Sequence, residues 1–204
     1  GWVKNIEINS SSKQRVAIIG SGPAGMAASS YLIQNGYEVD VFEKNDRVGG
    51  LMIYGIPNFK LDKSIVERRT EWLSNSGVNF HVKKEIGKDL SFQELEKNYD
   101  AILVATGVYK ARKLDIDTSN INNSLPALDF LIESNRVGLG DTPSSNKYLN
   151  AKGKHIVVIG GGDTAMDCVR TAIRQKAKQV TCLYRRNKEN MPGSAREVLN
   201  AEQE

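Results

Sequence analysis

Apolar positions along this chain fall into short runs that open twice in the same way. Arg15 to Ile19 is a brief apolar stretch that runs into the loop Gly20-Ser21-Gly22-Pro23-Ala24-Gly25. A helical pattern follows from Met26 to Asn35 and stops at Gly36, a residue suited to the left-handed position that closes a helix. Glu38 to Glu43 reads as the next strand, which completes one β–α–β unit. Far downstream the order returns: strand His155 to Ile159, loop Gly160-Gly161-Gly162, helix Thr164 to Gln175, strand Gln179 to Tyr184. A repeat at this scale is a duplicated fold unit, not a solenoid period.

Between the two lie a loop from Asn45 to Asn58, a helix from Leu61 to Ser76 ending at Gly77, and a strand from Val78 to Val82. A short helix from Ser91 to Lys97 starts on a good N-cap, and the apolar strand Ala101 to Ala105 runs into Thr106-Gly107. Residues 108–150 are less regular, with one apolar helical stretch from Ala127 to Ser134. The predicted class is α/β, two Rossmann-like dinucleotide-binding units in the two-domain arrangement of the glutathione-reductase type. Residues 1–14 read as a lead-in, 15–110 as the first domain, 111–150 as a junction and 151–204 as the start of the second. A parallel sheet needs more strands than 151–204 supplies, so the second domain is expected to be incomplete. Gly1 in place of Met points the same way, to an excised piece.

Composition narrows the partners. Hydrophobic content of 40% and charged content of 25% are ordinary for a globular chain. The net charge of +4 is spread along the sequence rather than gathered in a block, so nucleic acid is not an expected partner. No run approaches the ~18 apolar residues of a membrane span, and Ile156 to Ile159 reads as a buried strand. The first fourteen residues lack the apolar core of a secretion signal. Cys168 and Cys182 stand far apart and read as small core hydrophobes in a reducing compartment. A cytoplasmic location is expected, with an organelle of a eukaryote as the other option.

The chemistry resides in the loops. Gly20-x-Gly22-x-x-Gly25 follows a strand, opens a helix and is succeeded by Glu43 at the end of the next strand. Gly20 permits the tight turn, Gly22 lets the backbone approach a pyrophosphate, and Gly25 allows close helix packing. Pro23 and Ala24 place the first helical turn under the anion, and Glu43, followed by Lys44, is placed to accept from an adenosine ribose. The second loop is Gly160-x-Gly162-Asp163-Thr164-Ala165, with Ala in the packing position. Its ribose acid is missing. Aligning the two units sets Tyr184 opposite Glu43, and Arg185-Arg186 follow directly. Loss of the carboxylate removes repulsion of a 2′-phosphate and two guanidiniums offer it donors, which is the NADP form of the site. His81 and His155 show no catalytic partner in the sequence, and no metal-ligand cluster is evident.

Gly50 and Leu51, just after Glu43, resemble the second phosphate contact of FAD proteins of the glutathione-reductase type. Ala105-Thr106-Gly107 resembles that group's third short motif, which makes FAD the expected ligand of the first unit. The longer run Gly49-Gly50-Leu51-Met52-Ile53-Tyr54-Gly55-Ile56-Pro57-Asn58-Phe59-Lys60-Leu61 resembles the GGLL–GIP–KL motif of the small (β) subunit of NADPH-dependent glutamate synthase, with Ile56 among its cofactor contacts. Gly160 to Cys168, Tyr184-Arg185-Arg186 and Asn190 to Ser194 are similar to further motifs of that family. The resemblance implies that NADPH gives a hydride to FAD. Electrons then pass through iron–sulfur clusters to a large (α) subunit, or fused large region, where FMN supports glutamate synthesis from 2-oxoglutarate and glutamine. Those clusters and the FMN are expected only in parts outside this chain, and the piece alone is expected to be inactive. The same module occurs in dihydropyrimidine dehydrogenase and certain ferredoxin–NADP reductases, and a non-catalytic flavin-binding module is the alternative of another class. No residue is assigned a catalytic role, because direct hydride transfer asks the protein for orientation and electrostatics.

Overall fold

A computed structural model of the chain describes residues 14–110, 120–121 and 123–204. The part of the lead-in before residue 14 and most of the start of the junction lie outside them. The described residues divide into two compact units, one built from 14–53 and 61–109 and the other from 54–60 and the described residues after 109.

The first unit is a four-stranded sheet in the order β3-β2-β1-β4, formed by β1 (Arg15–Ile19), β2 (Glu38–Glu43), β3 (Asn79–Val82) and β4 (Ala101–Val104). All three pairings are parallel, with Ile18 opposite Val41 and Leu103. Alternation along β1 and β2 sorts the two faces. Val16, Ile18, Val39 and Val41 pack with Met26 and Ile33 of α1 (Pro23–Gln34) and Leu73 of α3 (Lys63–Asn75). Ala17 and Phe42 face the other way, onto Leu95 of α4 (Phe92–Asn98). The N-cap read at Ser91 is present and forms a reciprocal capping box with Glu94 on α4, and the structure adds a side-chain cap at Asp62 on α3.

The stretch read as one loop from Asn45 to Asn58 contains a helical turn, α2 (Leu51–Tyr54). Gly49 and Gly50 reverse the chain with φ of 124° and 54°, and Ile53 and Tyr54 are almost fully buried. Four residues are too few to show a 3.6-residue period. His81, read as structural with no catalytic partner, sits 2.6 Å from the buried carboxylate of Asp40 and stacks on Phe42.

In the second unit β5 (His155–Ile159) and β6 (Gln179–Leu183) pair in parallel through the crossover helix α6 (Asp163–Arg174). The expected buried strand is corrected: Val157 and Ile159 are 57% and 58% exposed, because α6 covers only one face of this two-stranded sheet. Helices α5 (Ala127–Gly138) and α7 (Ala195–Gln203) pack on α6. Cys168 is core, but Cys182 is only half-buried, a second departure from expectation. Asn135 of α5 is buried and donates to the Tyr54 carbonyl at 2.9 Å, which fastens the segment 54–60 to this unit.

Candidate nucleotide sites

The first glycine loop is shaped by contacts that no side chain could share. Gly20 has φ of 106°, and a Cβ there would lie 2.5 Å from the Ala105 carbonyl oxygen. Gly25 lies so close to the Gly20 carbonyl that a Cβ would sit 2.0 Å from its oxygen. Gly22 differs, since a Cβ there would meet nothing within 4 Å. Helix α1 therefore opens onto free space, with Gly22 as its N-cap, Pro23 in its first turn and, among the described residues, no side chain capping its N–H groups. Ala24 continues that turn. Unlike the side-chain-capped α3, α4 and α7, this end keeps its first-turn donors for an anion.

Two further segments close on this loop. The Ala105 N–H donates to the Ile19 carbonyl at 2.8 Å and brings Thr106 and Gly107 alongside. Gly50, ahead of Leu51, lies against Gly22, so that a Cβ on Gly50 would come 2.9 Å from the Gly22 Cα. Three separated motifs thus form one surface. Glu43 is 5% exposed, and its two carboxylate oxygens accept from Ser21 and Asn45. Lys44 is exposed, with its ammonium 4.4 Å from the centre of the Tyr109 ring. Burial, aided by Glu43, raises the Tyr109 pKa. Ser21, Asn45 and Tyr109 were invisible in the glycine spacing, because the motif leaves those positions open. Ile56 lies in the 54–60 segment and belongs to the second unit.

The second loop repeats the outline with different supports. Gly160 has φ of 144°, and its N–H donates to the Leu183 carbonyl at 2.9 Å. A Cβ on Gly160 would meet the Ala165 Cβ at an ordinary 3.5 Å, so alanine fits where the first loop requires Gly25. Gly162 is the N-cap of α6 with no side-chain cap, and a Cβ there would again meet nothing within 4 Å. Asp163 and Thr164 form the first turn, and the Asp163 carboxylate accepts from the Ser194 N–H at 2.8 Å. Tyr184 packs against Gly161, whose Cβ would lie 2.8 Å from the ring, and its hydroxyl donates to the Asn190 carbonyl at 2.9 Å. The Gly193 N–H bonds back to the Gly161 carbonyl at 2.9 Å. Arg185 and Arg186 are exposed, and neither has a hydrogen-bond or ion-pair partner among the described residues.

Two of the sequence motifs meet within this unit. Lys60 reaches Asp167 at 2.8 Å and Glu197 at 3.3 Å. Phe59 lies under the guanidiniums of Arg170 and Arg174, at 4.6 and 4.2 Å. Arg170 also pairs with Glu197 and Glu204, both at 2.8 Å. Asp167, Arg170 and Arg174 share one face of α6 at helical spacing, and Asp167 and Arg170 are buried. Burial alone depresses the Lys60 pKa, but the bonds and charges of Asp167 and Glu197 outweigh it and leave it raised. Asp167 is also raised, by burial first and by repulsion from Glu197 and Asp163, which together outweigh the pull of Lys60. Burial pushes the Cys168 thiol up to about 12, which leaves it an inert core group.

The family model for pyridine nucleotide-disulphide oxidoreductases matches residues 14–204. The chain is 55% identical over its whole length to the glutamate synthase [NADPH] small chain of Azospirillum brasilense, of which it covers 43%. It is 45% identical over its whole length to the putative oxidoreductase AegA of Escherichia coli, of which it covers 31%. The chain therefore spans less than half the length of these relatives. Among solved structures it resembles FprA of Mycobacterium tuberculosis in complex with NADPH, with a TM-score of 0.74 and 22% identity over 94% of this chain and 48% of that one.

Proposed function

The chain belongs to the pyridine nucleotide-disulphide oxidoreductase family, and from that membership we propose that it binds FAD in the first unit and NADPH in the second, as the flavin-reducing module of a glutamate synthase. One observation carries the cofactor reading. In both units the middle glycine of the loop faces open space in front of an uncapped helix, where a pyrophosphate needs room and donors. Three converging segments at the first site suit the long flavin dinucleotide. A ribose acid replaced by Tyr184, followed by two unengaged arginines, suits a 2′-phosphate at the second.

Hydride transfer from nicotinamide to flavin is the chemistry the two cofactors supply when bound. The protein's share is positional. The first turns of α1 and α6 hold pyrophosphates, Glu43 orders the ribose end of the first site, and Arg185 and Arg186 hold the phosphate that marks NADPH. The disulphide half of the family's name does not carry over, since the stretch from Gly50 to Lys60 has no cysteine and the Cys168 thiol is buried.

Glutamate synthesis is the finer part of the proposal and rests on the whole-length likeness to the small chain. A relative of another name carries the same stretch, so the final acceptor is set by parts of the longer protein. The test is stopped-flow absorbance of the full-length protein. NADPH is expected to bleach the flavin within the turnover time, and glutamine with 2-oxoglutarate to restore the colour. Flavin that stays oxidised would favour a binding module without turnover. Bleaching that only another acceptor reverses would leave the module and remove glutamate synthase.

A further inference from the structure

We infer that Ser21 is a positioning residue of the first nucleotide site, joining the glycine loop, Glu43 and the Gly49-Gly50 turn into one hydrogen-bonded unit before any ligand arrives. The inference rests on the FAD reading of that site. Ser21 occupies a position that the glycine spacing leaves open, yet it is fully buried, and a hydroxyl enclosed in a turn must find partners. It has three contacts. Its Oγ donates to Glu43 Oε2 at 2.5 Å, its N–H donates to the same oxygen at 3.2 Å, and its Oγ accepts from the Gly49 N–H at 3.1 Å.

Those bonds change the role of Glu43. Its other oxygen, Oε1, accepts from the Asn45 N–H at 2.9 Å and the Asn45 side-chain amide at 2.8 Å. Four protein donors thus fix a carboxylate that the glycine pattern assigns to a ribose alone. Ser21 supplies two of the four and also supplies the bond that ties the second glycine pair to the first loop. Gly50 lies so close to Gly22 that these backbones leave no slack for the turn to shift. With the hydroxyl removed, the Gly49 N–H loses its acceptor and Glu43 loses its shortest bond. The cost falls on the ligand, which must then order both segments as it binds.

The experiment uses the full-length apoprotein and its titration with FAD. Ser21→Ala is expected to raise the FAD dissociation constant about tenfold or more, a change equal to about 1.4 kcal/mol. The apoprotein should stay folded with its melting midpoint lowered by only a few degrees, and the Gly49 amide should exchange faster with deuterium. Ser21→Cys, slightly larger, replaces the hydroxyl with a weak donor, so it carries the same test if the alanine variant does not fold. Unchanged FAD affinity, or a loss explained by the unfolded fraction of the variant at the titration temperature, overturns the inference. A wild-type chain that takes up no FAD overturns the reading beneath it instead.

Discussion

The two glycine loops of this chain share one outline and are held by opposite means. In the first, Glu43 is buried and gripped from inside by Ser21 and Asn45, and two later segments close on the loop. In the second, Tyr184 fills the corresponding place by packing its ring on Gly161, and the charged residues that follow it are exposed and unengaged. The first site is ordered around a buried carboxylate. The second is ordered by packing and leaves its charge in solvent. A permanently held cofactor gains from the first arrangement because the ordering cost is met before binding. A substrate that must enter and leave gains from the second, because exposed charge steers and selects without a deep trap.

The comparison breaks most readily at the glycines. Gly22→Ala and Gly162→Ala place a methyl where the protein has nothing within 4 Å. Both variants should melt like the wild type, yet lose affinity for FAD and NADPH respectively by roughly two orders of magnitude, because the methyl occupies the pyrophosphate's approach. Gly20→Ala should do the reverse. At φ of 106° and 2.5 Å from the Ala105 oxygen, its Cβ should destabilise the fold by about 2–4 kcal/mol. Gly160→Ala, with only the Ala165 Cβ at 3.5 Å, should cost about 1–2 kcal/mol of backbone strain. Melting curves and ligand titrations on the four variants separate the two kinds of glycine.

The exposed arginines give the next largest effect. Arg185→Ala with Arg186→Ala in the full-length enzyme should raise the Michaelis constant for NADPH by about one to three orders of magnitude, at about 1–3 kcal/mol per phosphate contact less solvent screening. NADH kinetics should hardly move, and added salt should narrow the preference. Equal weakening of both nucleotides would assign the pair to the fold. Glu43→Ala should reduce FAD affinity about ten- to hundredfold, since a charge-assisted bond is worth about 1.5–3 kcal/mol. Tyr184→Phe, which loses only one bond to the Asn190 carbonyl, should cost about 0.5–1.5 kcal/mol of stability and leave NADPH selection intact.

What the sequence disclosed follows the same division. Strand, loop and helix order in both units, the N-cap at Ser91 and Cys168 in the core were all written in local pattern. So was the overall class. Helix α2 was hidden by its length, and the exposure of Val157 and Ile159 by the fact that periodicity does not say how many faces are covered. At the sites, glycines announce themselves because their φ values and close approaches are local demands. Ser21 and the charges around Phe59 do not, since each works through a residue far away in the chain, and Asn45, two positions from Glu43, bonds a carboxylate that the motif assigns to a ribose. Lys60 and Asp167 are 107 positions apart. Only folding shows that two separately recognisable motifs are halves of one ion-pair network.

A pH-dependent contrast concerns two lysines three residues apart, one in each unit, whose environments push them in opposite directions. Lys63 is buried with its ammonium donating to the Met52 carbonyl at 2.9 Å, close behind the Gly49-Gly50 turn. Burial lowers its pKa from 10.5 to about 8, with Asp62 pulling weakly the other way. Lys60 keeps a raised pKa because Asp167 and Glu197 outweigh its own burial. The signs follow from proton counting. Between pH 8 and 10.5 the unfolded chain binds more protons at Lys63 than the folded one, so this lysine makes stability rise with pH across that window. At Lys60 the folded chain binds more protons above 10.5, so its contribution is present below that pH and fades as pH climbs past it. Lys60→Met should therefore cost about 1–3 kcal/mol at pH 7, where Asp167 and Glu197 lose their partner. Lys63→Met should cost less at pH 7 than at pH 10, because the wild type gains stability over that range and the variant does not. Urea midpoints of the full-length protein at pH 7, 8, 9 and 10 read both. A rise with pH that persists in Lys63→Met would move its source elsewhere and leave the two lysines alike.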